Sequence, residues 1–176
     1  MTEGAALTLE ERALLSSTAS MVGHAVLIAN PDVPRRVRKK VKALREAYSS
    51  TSRRFPSNHL VQESVSEAER SSKEEARFRS LRKEREEYLA KTLEACRKVS
   101  KLLAVKASLA EGEEFKQWLL DIGEAVGEAV VSGEFLGIGL ERYSEEEIYT
   151  LKAVAMALGV SGYRAPKVRT VQIGRV

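Results

Sequence analysis

The chain has 176 residues, 43% hydrophobic, 31% charged and 6% aromatic, with one cysteine and four prolines. That is enough apolar material for one packed core; it excludes an intramolecular disulfide and favours helices over sheets, which draw on more aromatic and β-branched side chains. The net charge of +4 hides a sharp segregation: 1–30 carries −2, 31–58 +7, 59–111 +2, 112–160 −7 and 161–176 +4, an asymmetry that concerns partners or internal docking rather than fold.

A first helix is predicted from Thr8. Thr8-Leu9-Glu10-Glu11 is a capping box, in which the threonine hydroxyl accepts from the third backbone N–H and the glutamate reaches back. Leu14, Met21, Val22, Ala25, Val26 and Ala29 recur at helical spacing up to Asn30-Pro31, where the residue before proline is pushed out of the α region. Met1-Thr2-Glu3-Gly4 lacks the basic and apolar regions of a signal peptide, and the apolar stretches 25–29 and 154–158 are too short to span a bilayer. A cytoplasmic location is the resulting expectation.

Asp32-Val33-Pro34 restarts a helix, with proline in its first turn. Val37, Val41, Leu44 and Tyr48 form a narrow apolar stripe, and most of what surrounds it is basic or small. The serine- and arginine-rich stretch 49–58 reads as a linker. A short helix is expected over 59–70. Ser72-Lys73-Glu74-Glu75 is a second capping box, opening a stretch free of glycine and proline as far as Glu111. Phe78, Leu81, Tyr88, Leu89, Leu93, Cys96, Val99, Leu102 and Leu103 are its apolar positions. Its first half is densely charged and is expected to project or meet a partner, whereas its second half is amphipathic.

Gly112 is read as the break before the most regular helix, in which Phe115, Trp118, Leu119, Ile122, Val126, Ala129 and Val130 follow the i, i+3, i+4, i+7 template. Gly123 and Gly127, four apart on it, suit the close approach of a neighbouring helix. Gly133 ends the helix, and 133–139 is an apolar, glycine-punctuated loop without the lysine and serine of a phosphate cradle. Ser144-Glu145-Glu146-Glu147 is a third capping box, and the last helix carries Ile148, Leu151, Val154, Ala155 and Leu158 before Gly159. The tail, 161–176, is basic and extended, with a β-prone stretch at 168–173.

The reading is therefore all-α: a helical bundle with one long, partly projecting helix and a basic, extended C-terminal tail. Residues 1–30 form the N-terminal core helix, 31–58 the basic helix and linker, 59–160 the helical core and 161–176 the tail. His24 and His59 are the only histidines and neither lies in a Glu-x-x-His pair. Ser80-Leu81-Arg82-Lys83 lacks the companion motifs of a serine–lysine hydrolase. No catalytic residue, metal ligand or cofactor is assigned, and Cys96 reads as core filling. The functional candidates are cations: Arg35, Arg36, Arg38, Lys39, Lys40, Lys42 and Arg45 on the basic helix, Arg53 and Arg54 after it, and Arg164, Lys167 and Arg169 in the tail. Cations on several sides of one helix repel one another unless an anion neutralises them. The expected partner is an acidic protein surface in a larger assembly, with nucleic acid and an anionic membrane surface as alternatives and the protein's own acidic C-terminal helices as the internal one. Aromatic residues for base stacking are sparse beside the patch, limited to Tyr48 and Phe55.

Residues 115–160 resemble the helix–loop–helix portion of tellurite-resistance TerB-like helical domains. Ser132-Gly133-Glu134, Ser144-Glu145-Glu146-Glu147 and Leu158-Gly159-Val160 stand at that pattern's turn, helix start and helix stop. The aspartate of the family's usual turn is missing and the loop is longer and apolar, so the resemblance implies a helical, partner-binding module without the family's metal binding. A non-enzymatic adaptor or accessory subunit is the leading reading, a nucleic-acid-binding protein the second, and an enzyme of unknown type the third.

Overall fold

Six helices are placed in a computed structural model that describes residues 6–29, 34–71, 84–129 and 143–167, and the side chains of α2 and α3 only from residue 40 and up to residue 70. They are α1 (Leu9–Ala29), α2 (Pro34–Ser52), α3 (His59–Ser71), α4 (Arg85–Lys106), α5 (Leu109–Glu128) and α6 (Glu145–Leu158). The fold is an all-α bundle, and no strand occurs among the described residues. The 72–75 capping box, Phe78, Leu81, the 133–139 loop and the 168–173 stretch lie outside them.

Helix α1 is the axis of the bundle and packs against each of the other five helices. Its composition explains why. Leu15, Ala19, Val22 and Val26 are buried, but so are Ser16, Thr18, Ser20, Gly23, Ala25 and Leu27 on other sides of the helix. A helix enclosed on most sides cannot be strongly amphipathic. Its small hydroxyl residues satisfy themselves locally: Thr18 Oγ1 donates to the Leu14 carbonyl at 2.7 Å and Ser16 Oγ to the Arg12 carbonyl at 3.1 Å. At 21 residues α1 is also long and apolar enough to cross a membrane by length and composition, and 67% of its most apolar window is buried in the bundle. The sequence reading, confined to 25–29, had missed that property.

The other helices present the faces that helical spacing predicts. Val41, Leu44 and Tyr48 of α2 are buried, joined by Ala47. Thr92, Cys96, Val99 and Leu103 of α4 form one inward row. Phe115, Trp118, Leu119, Ile122 and Val126 of α5 are fully enclosed, as are Leu151, Val154 and Leu158 of α6. A Cβ on Gly123 would stand 2.8 Å from Leu151 Cδ2 and 3.3 Å from Val26 Cγ2, so this glycine lets α5 seat closely on α1 and α6. Burial pushes the Cys96 thiol up to about 12. Little thiolate is present at pH 8, and alkylation by iodoacetamide is expected only at the rate of global unfolding. Fast labelling of the folded protein would place Cys96 at the surface.

The helix ends follow the capping chemistry read from the sequence, with two corrections. The boxes at Thr8/Glu11 and Ser144/Glu147 are reciprocal. The helix of the glycine-free stretch does not run to Gly112. It breaks at Ala107, whose ψ of 156° is extended, and Ser108 opens α5 with its own capping box on Glu111. Gly112 sits inside α5. The stretch 49–58 is not a loose linker either. Helix α2 continues to Ser52, and the hydroxyls of Thr51 and Ser52 bond back to the Ala47 and Ser49 carbonyls. A tight turn follows, in which Phe55 N–H donates to the Ser52 carbonyl and Asn58 N–H to that of Phe55. Gln62 Nε2 also donates to the Phe55 carbonyl, at 3.0 Å. Helix α6 ends at Gly159, left-handed with φ 71°, and Ser100 Oγ donates to the Leu158 carbonyl at 2.9 Å.

Candidate functional site

The charged residues fall into an internal set and an external set. Lys40 belongs to the first. One and two turns before Leu44 and Ala47, it occupies a core-facing position of α2, and its side chain is only 11% exposed. Its ammonium pairs with Glu147 Oε1, on a side chain 1% exposed. Glu147 has a double role, since its Oε2 also accepts from the Ser144 N–H at 3.0 Å within the α6 capping box. One carboxylate thus closes the start of α6 and ties it to α2. Of the candidate partner-binding cations, Lys40 is therefore held inside the protein.

A second polar cluster lies along α5. Asp121, 5% exposed at its side chain, accepts from Arg54 Nη1 at 2.5 Å and from Gln117 Nε2 at 2.9 Å. One turn on, Glu124 is half-buried, and its Oε1 accepts from the Tyr163 hydroxyl at 2.8 Å. The Glu124 main-chain carbonyl accepts from the Tyr143 hydroxyl at 3.1 Å. Burial holds the Glu124 carboxyl above the usual carboxylate range against the opposing hydrogen bond from Tyr163, with Asp121 adding to the rise and Arg54 reducing it. The Tyr163 phenol is raised by burial and then by the carboxylate it faces. Asn58 extends this contact between the α2–α3 turn and α5: its Nδ2 donates to the Glu111 carbonyl at 3.0 Å and to Glu114 Oε2 at 2.9 Å.

This arrangement brings two basic segments to the same helix face. Arg53 and Arg54, at the α2–α3 turn, are exposed, and Arg54 remains 62% exposed while pairing with Asp121. Arg164 and Lys167, exposed and just beyond the anchored Tyr163, come from the C-terminal segment. Lys42 and Arg45 are exposed on α2, where Lys42 Nζ stands 3.8 Å from Glu46. The side chains of Arg35, Arg36, Arg38 and Lys39, and Arg169 entirely, lie outside the described residues. The sequence reading missed Asp121, Glu124, Tyr143 and Tyr163 as a unit, because it read α5 for its apolar stripe alone.

Elsewhere, His24 is half-buried with Nδ1 3.4 Å from Ser20 Oγ and 3.5 Å from the Tyr88 hydroxyl. The Tyr48 hydroxyl is enclosed near Ser20 but makes no hydrogen bond with it, and burial raises its pKa. A cleft of about 530 Å³ lies between α1 and α3, with Leu7, Leu9 and Leu60 in its lining and Arg12 3.6 Å from Glu63 across it. Among the described residues no group of three or more histidine, cysteine or acidic side chains is placed to hold a metal ion. No protein-family model, curated protein or solved structure matches the chain.

Proposed function

We propose that the protein is a non-enzymatic helical adaptor, an accessory subunit that joins a larger assembly by gripping an acidic protein surface. The supporting observation is that the segments carrying Arg53 and Arg54 and carrying Arg164 and Lys167, far apart in sequence, are tied one turn apart on α5, by Arg54 at Asp121 and by Tyr163 at Glu124. The acidic side chains beneath them, Asp121 and Glu124, are already engaged by Arg54 and Tyr163. The outward cations are then left to an external anion. Charges so arranged steer association more than they deepen it, so binding is salt-sensitive. Arg54 lies over the Phe55 ring at 5.6 Å, which engages the aromatic of the turn itself and favours a protein anion over stacked bases.

The reading is tested by titrating the protein with a labelled oligoglutamate peptide and with a single-stranded oligonucleotide of equal charge. The peptide is expected to bind at low salt, and to lose roughly tenfold or more in affinity when Arg53, Arg164 and Lys167 are each changed to glutamate. Arg54 is left intact so that the Asp121 contact survives. Preference for the oligonucleotide would favour the nucleic-acid reading instead, and no binding of either would remove both.

A further inference from the structure

We propose that Tyr163 is a positioning residue, a single anchor that seats the basic C-terminal segment beside the α2–α3 turn so that Arg164 and Lys167 present one surface with Arg53 and Arg54 to an acidic protein segment. This rests on the adaptor reading above. The chain leaves α6 through two left-handed glycines, Gly159 at φ 71° and Gly162 at φ 73°. At Gly162 nothing lies within 4 Å of where a Cβ would stand, so it is the backbone conformation and not space that calls for glycine there. Between exposed Gly162 and exposed Arg164, Tyr163 alone turns inward, packing on the core and donating to Glu124. Arg54 binds Asp121 one turn away on the same helix. The tether therefore ends where the other cations begin. An unanchored tail would carry the same charges at lower effective concentration and would bear a larger ordering penalty on binding.

The test compares the wild type with Tyr163→Phe, which keeps the ring and loses the hydroxyl, and Tyr163→Ala, which loses both; no cation is removed from either. In the free protein, limited trypsin cleavage after Arg164 reports release of the segment, and oligoglutamate titration reports its consequence. Tyr163→Ala is expected to be cleaved about tenfold faster and to bind the peptide roughly three- to tenfold more weakly, with Tyr163→Phe between it and the wild type. The thermal midpoint of Tyr163→Phe should stay near the wild-type value, which separates positioning from loss of fold. If the wild type binds the peptide but cleavage or affinity is unchanged in both variants, the anchor is refuted. If the wild type does not bind the peptide, the adaptor reading fails and this surface fails with it, whatever the cleavage rates.

Discussion

Replacing Trp118 with alanine is expected to destabilise the bundle by about 3–5 kcal/mol, read as a shift in the midpoint of chemical denaturation. The indole is fully buried at the centre of α5 and meets Phe115 edge-on at a centroid distance of 5.4 Å. Fully buried Leu119 and Ile122 are its neighbours on the same helix, so the lost volume has little room to collapse. The indole N–H has no acceptor among the described residues. Trp118→Phe should accordingly lose volume without losing a hydrogen bond, and cost much less than the alanine change. A near-neutral Trp118→Ala would mean that this face of α5 is not the core.

The second large effect is expected at the Lys40–Glu147 pair. Glu147→Ala leaves an ammonium enclosed without its counter-charge and opens the α6 capping box, and about 3–5 kcal/mol of stability should be lost. Lys40→Met removes the ammonium but leaves the Glu147 carboxylate enclosed, still accepting from the Ser144 N–H. Removing both charges while filling the space, as in Lys40→Met with Glu147→Leu, should recover most of the loss, because an enclosed ion pair gains little over a well-packed apolar pair. With Glu147→Leu as the single change at that site, the curves of the wild type, Lys40→Met, Glu147→Leu and the double variant form a double-mutant cycle. Additive single effects would show that the two side chains do not depend on each other.

Both residues of that pair carried a signal in the sequence, and it was passed over. Glu147 is four, seven and eleven residues before Leu151, Val154 and Leu158, the buried row of α6, and Lys40 stands in the same relation to Leu44 and Ala47. A charged residue in register with an apolar row is placed toward the core, where it needs a partner. Periodicity says that such a partner exists but not which helix supplies it, because register within one helix carries no information about its neighbours. The apolar rows of α4, α5 and α6 and two of the capping boxes were legible because they are local. The break at Ala107–Ser108 had a local signal too, in Ser108 and Glu111, but the glycine at 112 drew the boundary to itself. The approach of Tyr163 to Glu124 was not legible, since it depends on where the chain turns after Gly159 and Gly162.

The internal alternative for the basic helix accounts for Lys40 and engages Arg54 in part. Lys42 and Arg45 face outward, and Arg35, Arg36, Arg38 and Lys39 precede them in the most basic part of the chain. The adaptor reading requires Arg35, Arg36, Arg38 and Lys39 to serve a partner rather than the fold. The most direct measurement is made on a variant in which Arg35, Arg36, Arg38 and Lys39 are all changed to glutamate. Its helicity and thermal midpoint are followed by circular dichroism, and its affinity for the oligoglutamate peptide is measured alongside. The expected result is a bundle that melts close to the wild type and has lost binding by about tenfold or more. Unfolding of the variant, or wild-type affinity in a folded one, would contradict the assignment of these cations to a partner.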